Sequence, residues 1–153
     1  MTAPVLLCLA ADDAASAAEA VALRLAVATD APIHAVHVAD PEPDFVGYDV
    51  GPKSVRDAVA SELRGEHRWL ERAARRLADA GADADFRLLR GATVGAILAE
   101  AERIGAGWIV VGTHERSVIT EALLGSVSHE LLRHADRPVV LVPRTALRDD
   151  PRA

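Results

Sequence analysis

The stretch Gly107–Pro143, GWIVVGTHERSVITEALLGSVSHELLRHADRPVVLVP, decides the fold. It opens with a short unbroken apolar run, GWIVVG (Gly107–Gly112), and closes with another, PVVLVP (Pro138–Pro143). Between them Leu123, Leu124, Val127, Leu131 and Leu132 recur near helical spacing, and the DRP of Asp136–Pro138 ends that helix. Neither apolar run alternates. Strands without alternation are covered on both faces, the usual state of a parallel sheet.

The same pattern runs back to the start of the chain. VLLCLA (Val5–Ala10), IHAVHV (Ile33–Val38) and the weaker ADFRLL (Ala84–Leu89) are further strand candidates. Helical spacing separates them. Asp12 or Asp13 can cap a first helix with Ala17, Val21, Leu25 and Ala28 on its apolar face, which TDAP (Thr29–Pro32) stops. Ser54 can cap a second, with Val55, Val59, Leu63, Leu70, Ala73 and Leu77, which Gly81 ends. Thr93 can cap a third, with Val94, Ile97, Leu98, Ala101 and Ile104, which Gly105 ends. Five strands alternating with four helices predict an α/β fold, an open doubly wound parallel sheet with right-handed crossovers and helices on both faces. ADPEPDFVGYDVGP (Ala39–Pro52) follows the second strand, so it lies at the carboxyl edge, where such folds bind ligands. It is either a lid over a site or a connector.

A chain of 153 residues fits one domain, taken as 1–145, with 146–153 as a frayed tail. Aromatics are 3% of the chain, so the core must be built from Ala, Val, Leu and Ile. The net charge of −6 argues against non-specific nucleic-acid binding, which needs clustered cations. Lys53 is the only lysine, and the arginines spread along solvated helix faces. Cys8 is alone and reads as an inert buried thiol. No apolar stretch is long enough to span a membrane, and the first residues do not read as a signal peptide, so the expected location is the cytoplasm. Trp69 and Trp108 read as packing residues. The histidines show no metal-ligand spacing, and no nucleophile elbow or zinc-protease motif is present. No catalytic residue is assigned.

One constellation carries chemistry. A phosphate wants free backbone N–H groups, absent side chains and the positive end of a helix. Gly112 closes the fourth strand, and Gly125 precedes Ser126, a natural cap for the fourth helix. Two such segments can face one anion from both sides. The glycines alone fit equally a strand-end turn plus a close packing contact.

The span Gly107–Pro143 resembles the C-terminal signature of the universal stress protein family, G-x-x-G-x9-G-[ST] followed by a run like R-H-A-x-x-P-V-x-V-V-P. Gly112, the Gly125–Ser126 pair, LLRHADRP and VVLVP keep that spacing, and His37–Val38 matches the family's ending of the second strand. The resemblance extends from Val5 to Pro143. It implies a Rossmann-like, adenine-nucleotide α-hydrolase-like three-layer sandwich with strand order 3-2-1-4-5. It also implies a homodimer through the last strand, 138–143, whose apolar edge would otherwise pair without control. By the same resemblance, Gly112, Gly125 and Ser126 would cradle ATP phosphates with Val127 at the helix entry. Val38 and Val111 would line the adenine and ribose pocket. Mg²⁺ would enter only with ATP.

Two positions depart from the family. Glu115 stands at the second motif glycine, and Ala10 stands where an acid usually closes the first strand. A carboxylate about 5 Å from a phosphate charge costs about 3 kcal/mol at an effective dielectric near 20. Strain adds about 1–3 kcal/mol if position 115 needs positive φ, and the missing acid removes about 1.5–3 kcal/mol. Half that sum weakens binding about a hundredfold or more. Glu115 turned outward, paired with Arg116 or holding Mg²⁺, or Asp12 or Asp13 replacing the acid, would restore affinity. The residues therefore support a stress-response dimer acting by binding, with a degenerate nucleotide pocket. A slow ATPase or other nucleotide-dependent enzyme, and a ligand-free structural dimer, are the competing readings.

Overall fold

A computed structural model of the protein describes residues 2–10, 15–39, 53–113, 126–144 and 146. In chain order its elements are β1 (Val5–Cys8), α1 (Ala15–Thr29), β2 (Ile33–Val38), α2 (Lys53–Asp79), β3 (Ala84–Leu89), α3 (Thr93–Ile104), β4 (Trp108–Thr113), α4 (Ser126–His134) and β5 (Val139–Pro143). The five strands form one sheet in the order β3-β2-β1-β4-β5, and every pairing is parallel. The chain steps outward from β1 to β3, then crosses back to β4 and β5. The crevice between β1 and β4 is therefore the topological switch point.

Alternation along the strands divides the core in two. Val5, Leu7 and Leu9 face α1 and α2, together with Ile33, Ala35, Leu70, Ala73 and Leu77. Leu6 and Cys8 face α3 and α4, together with Val36, Ile97, Ala101, Ile109 and Leu131. Both faces of β1 are buried, which is why its sequence does not alternate. β3 is an edge strand with a half-exposed pattern, the physical reason that its apolar run is the weakest.

The helices differ from the sequence reading in detail. Ala18, Ala22 and Ala26 form the buried stripe of α1, whereas Ala28 is exposed. Methyl-sized side chains let the helix approach the sheet closely, so the buried face follows size rather than hydropathy. Only the second half of α2 is buried, at Leu70, Ala73, Ala74 and Leu77, and Val55 is 41% exposed. Ser54 lies inside α2, which begins at Lys53, and Ala92 rather than Thr93 holds the N-cap position of α3, with no side-chain cap. Asp12 and Asp13 lie outside the described residues.

Three helices end in the same way. At α1, α2 and α3 the chain turns left-handed at Asp30 (φ 50°), Gly81 (φ 94°) and Gly105 (φ 63°). The following N–H then reaches back five residues, from Ala31 to Ala26 (3.0 Å), Ala82 to Leu77 (3.1 Å) and Ala106 to Ala101 (2.9 Å). These are Schellman ends, which satisfy carbonyls the helix leaves open. Arg137 completes the end of α3, its Nη1 donating to the carbonyls of Ala101 (2.9 Å) and Ala106 (3.1 Å). Ala146, assigned to the tail, donates to the Pro143 carbonyl and packs against the first core cluster. No described helix is long and apolar enough to cross a membrane.

Candidate functional site

The candidate site lies at the carboxyl rim of the sheet. Val38 is the last residue of β2, Val111 and Gly112 lie near the end of β4, and Ala10 follows β1 by two residues. Alternation puts Val38 and Val111 on the same face as Cys8, and Val127 of α4 packs into the same cluster. Gly112 pairs with Val142 in the β4–β5 register, and Thr113 Oγ1 donates to the Val142 carbonyl at 3.4 Å. Gly125, Glu115 and His114 lie outside the described residues, as does the loop from Asp40 to Pro52.

Ser126 is the first residue of α4 rather than the residue before it. The helix delivers the chain to the start of β5, where Ile109 N–H donates to the Pro138 carbonyl at 3.0 Å. α4 therefore runs against the strands, and its amino end, with exposed Ser126, lies on the rim side. A helix amino terminus carries partial positive charge and open N–H groups, which suit an anion. Arg133 and His134 occupy its last turn, where cations complement the dipole.

The rim between β1 and β2 is tied down. Leu9 N–H donates to the Val36 carbonyl (2.8 Å), and Ala39 N–H to the Leu89 carbonyl (3.0 Å). His37 Nδ1 donates to the Leu9 carbonyl at 2.8 Å. Its Nε2 lies 3.6 Å from Glu66 Oε1, and its ring meets Trp69 edge to face at a centroid distance of 5.5 Å. Glu66 Oε2 is buried without a hydrogen-bond partner. Burial pushes the Cys8 thiol up to about 12, so it stays protonated and unreactive beneath the rim.

A second polar group lies toward the opposite edge. His34 and Glu100 are both buried, and His34 Nε2 meets Glu100 Oε1 at 2.7 Å. Its Nδ1 meets Asp85 Oδ1. Arg103 grips both oxygens of Glu100, at 2.6 and 2.9 Å, and Arg87 adds a bond at 3.1 Å. Arg103 first, then His34 and Arg87, hold the Glu100 carboxyl down at about 2. A cleft of about 320 Å³ opens beside this group, lined by Pro4, Pro32, His34, Asp83, Asp85 and Arg103. Sequence reasoning missed the network. Its signals were a histidine inside an unbroken apolar strand and a glutamate on the apolar face of α3. Among the described residues no group of three or more His, Cys, Asp or Glu is placed to hold a metal.

A doubly wound five-stranded parallel sheet of this order defines the adenine-nucleotide α-hydrolase-like class of folds. Residues 1–143 match the universal stress protein family, and the chain belongs to it. It is 27% identical over 124 residues to a universal stress protein of Methanocaldococcus jannaschii, spanning 80% of this chain and 71% of that protein. A solved member of the family from Burkholderia pseudomallei is 31% identical, with a TM-score of 0.69 and coverage of 93% of this chain and 96% of that one. A universal stress protein solved in complex with cAMP is 26% identical, with a TM-score of 0.63 and coverage of 94% of this chain and 98% of that one.

Proposed function

We propose that this chain is a universal stress protein that works by binding an adenine nucleotide at the carboxyl rim rather than by turning it over. One observation carries the reading: a relative 26% identical over 94% of this chain holds cAMP. The positions that would line such a pocket, Val38, Val111 and Val127, pack in one cluster beside Gly112. Gly112, Gly125 and Ser126 take the phosphates in this reading, at the amino end of α4. Val38 and Val111 flank the base and ribose. Affinity is lowered by Glu115, a carboxylate in the phosphate motif, and by Ala10, which offers no acid. A divalent ion such as Mg²⁺ enters only as part of a nucleotide complex. Two chains associate through β5.

The test is to denature freshly purified protein and identify what it releases. Released ATP or AMP supports the reading; ADP with free phosphate points to turnover; no nucleotide, together with no binding of added ATP or cAMP by calorimetry, overturns it. In the same assay Glu115→Gly gains affinity by about tenfold or more, because it removes both the repulsion and any positive-φ strain.

A further inference from the structure

His37 has a role in this site that its position in a buried strand conceals. Its Nδ1 must carry a hydrogen, because the Leu9 carbonyl can only accept, and the bond is 2.8 Å long. The ring cannot drift from that bond. Trp69 meets it edge to face, and Glu66 stands 3.6 Å from Nε2. The Leu9 carbonyl is thereby fixed toward β2. The Leu9–Ala10 peptide is trans, since the described chain has no cis bond. In a trans peptide the carbonyl and the next N–H point in opposite directions. Ala10 N–H therefore points away from β2, toward the β4 side and the switch-point crevice. It makes no backbone hydrogen bond to another described residue.

We propose that His37 is a positioning residue for the rim: by holding the Leu9 carbonyl it aims Ala10 N–H at a bound nucleoside, as a donor to a ring nitrogen or ribose oxygen. This rests on the nucleotide reading above and adds the residue that shapes its pocket.

Two substitutions separate hydrogen bonding from packing. His37→Asn keeps a donor at the place of Nδ1, and His37→Phe keeps the ring without it. Calorimetry with ATP and with cAMP, run beside thermal melts, gives the comparison. The expected result is a His37→Asn variant within about threefold of the parent and a His37→Phe variant weakened about tenfold, the loss of one well-placed bond. In the ligand-free parent, ¹H–¹⁵N correlation of the imidazole is expected to find His37 Nδ1 protonated. Equal affinity in both variants, equal loss in both, or a bare Nδ1 overturns the positioning role and leaves nucleotide binding standing. A parent that binds neither ATP nor cAMP removes the nucleotide reading, and this role with it.

Discussion

Glu100 shows how a side chain that leaves only a faint mark in a sequence can dominate a structure. Buried and gripped by Arg103, His34 and Arg87, its carboxyl sits at about 2 against an ordinary 4.5. A depressed carboxyl stabilises the fold fully above its unfolded value, and that contribution is lost as pH falls from about 4.5 toward 2. The size is about 3 kcal/mol, at 1.36 kcal/mol per unit. Thermal melts from pH 6 to pH 3 should therefore fall steeply for the parent. Glu100→Gln should start lower by about 3 kcal/mol at pH 7, because two arginines lose their counter-charge and His34 Nε2 loses its carboxylate partner, and should flatten over the acid range. A parallel fall in both proteins would dissociate Glu100 from acid sensitivity. The network was not legible because its members come from β2, β3 and α3, and only the fold brings them together. The rim position of Gly112, Val38 and Val111 was legible because Val38 ends β2 and the other two stand near the end of β4, and a strand end can be read locally; their assignment to a pocket came from the family resemblance. Glu66, which stands by His37, had no such marker on a helix rich in charges.

Elements were the best-read scale. All five strands fall on the segments the sequence pattern marked: β1, buried on both faces, is an unbroken apolar run, whereas the edge strand β3 carries Asp85 and Arg87 within its weaker one. Helix ends at Gly81 and Gly105 were readable because only glycine turns left-handed cheaply, whereas Asp30 does so without announcing it. Starts were harder: Thr93 and Ser54 look like caps, yet α2 and α3 begin without them. On α1 the reading found Ala17, Val21 and Leu25 against the core but missed the deepest stripe, Ala18, Ala22 and Ala26, because alanines pack for their smallness. Two glycines give opposite expectations. Gly105 holds φ 63°, so Gly105→Ala should destabilise by about 1–2 kcal/mol. Gly65 lies within α2 with open space around an added methyl, so Gly65→Ala should stabilise by up to about 1 kcal/mol. Melting temperatures should move in opposite directions, each by about 2–4 °C per kcal/mol. Movement of both in one direction would contradict the geometry of one of these turns.

At the scale of the whole molecule the two open edges of the sheet are unlike. β3 presents Asp85 and Arg87 to solvent, with the Asp85 side chain 76% exposed. β5 presents VVLVP, whose Val139, Val140 and Leu141 are half-buried in the single chain. An apolar edge strand invites another strand, and charged residues along an edge discourage one. The proposed pairing through β5 predicts a mass of two chains by light scattering. Leu141→Arg should reduce that mass to one chain at micromolar concentration while the far-ultraviolet circular dichroism stays unchanged. A parent already of single mass would remove the pairing.

The inequality of the two edges also bears on how such a sheet can grow. Strand-by-strand addition continues without limit only when each new arrival offers a fresh sticky border. In the proposed pairing the first union would consume both apolar borders and leave charged ones facing outward at each end. Association by that route would halt at two, and filaments would be closed to it while the native sheet persists.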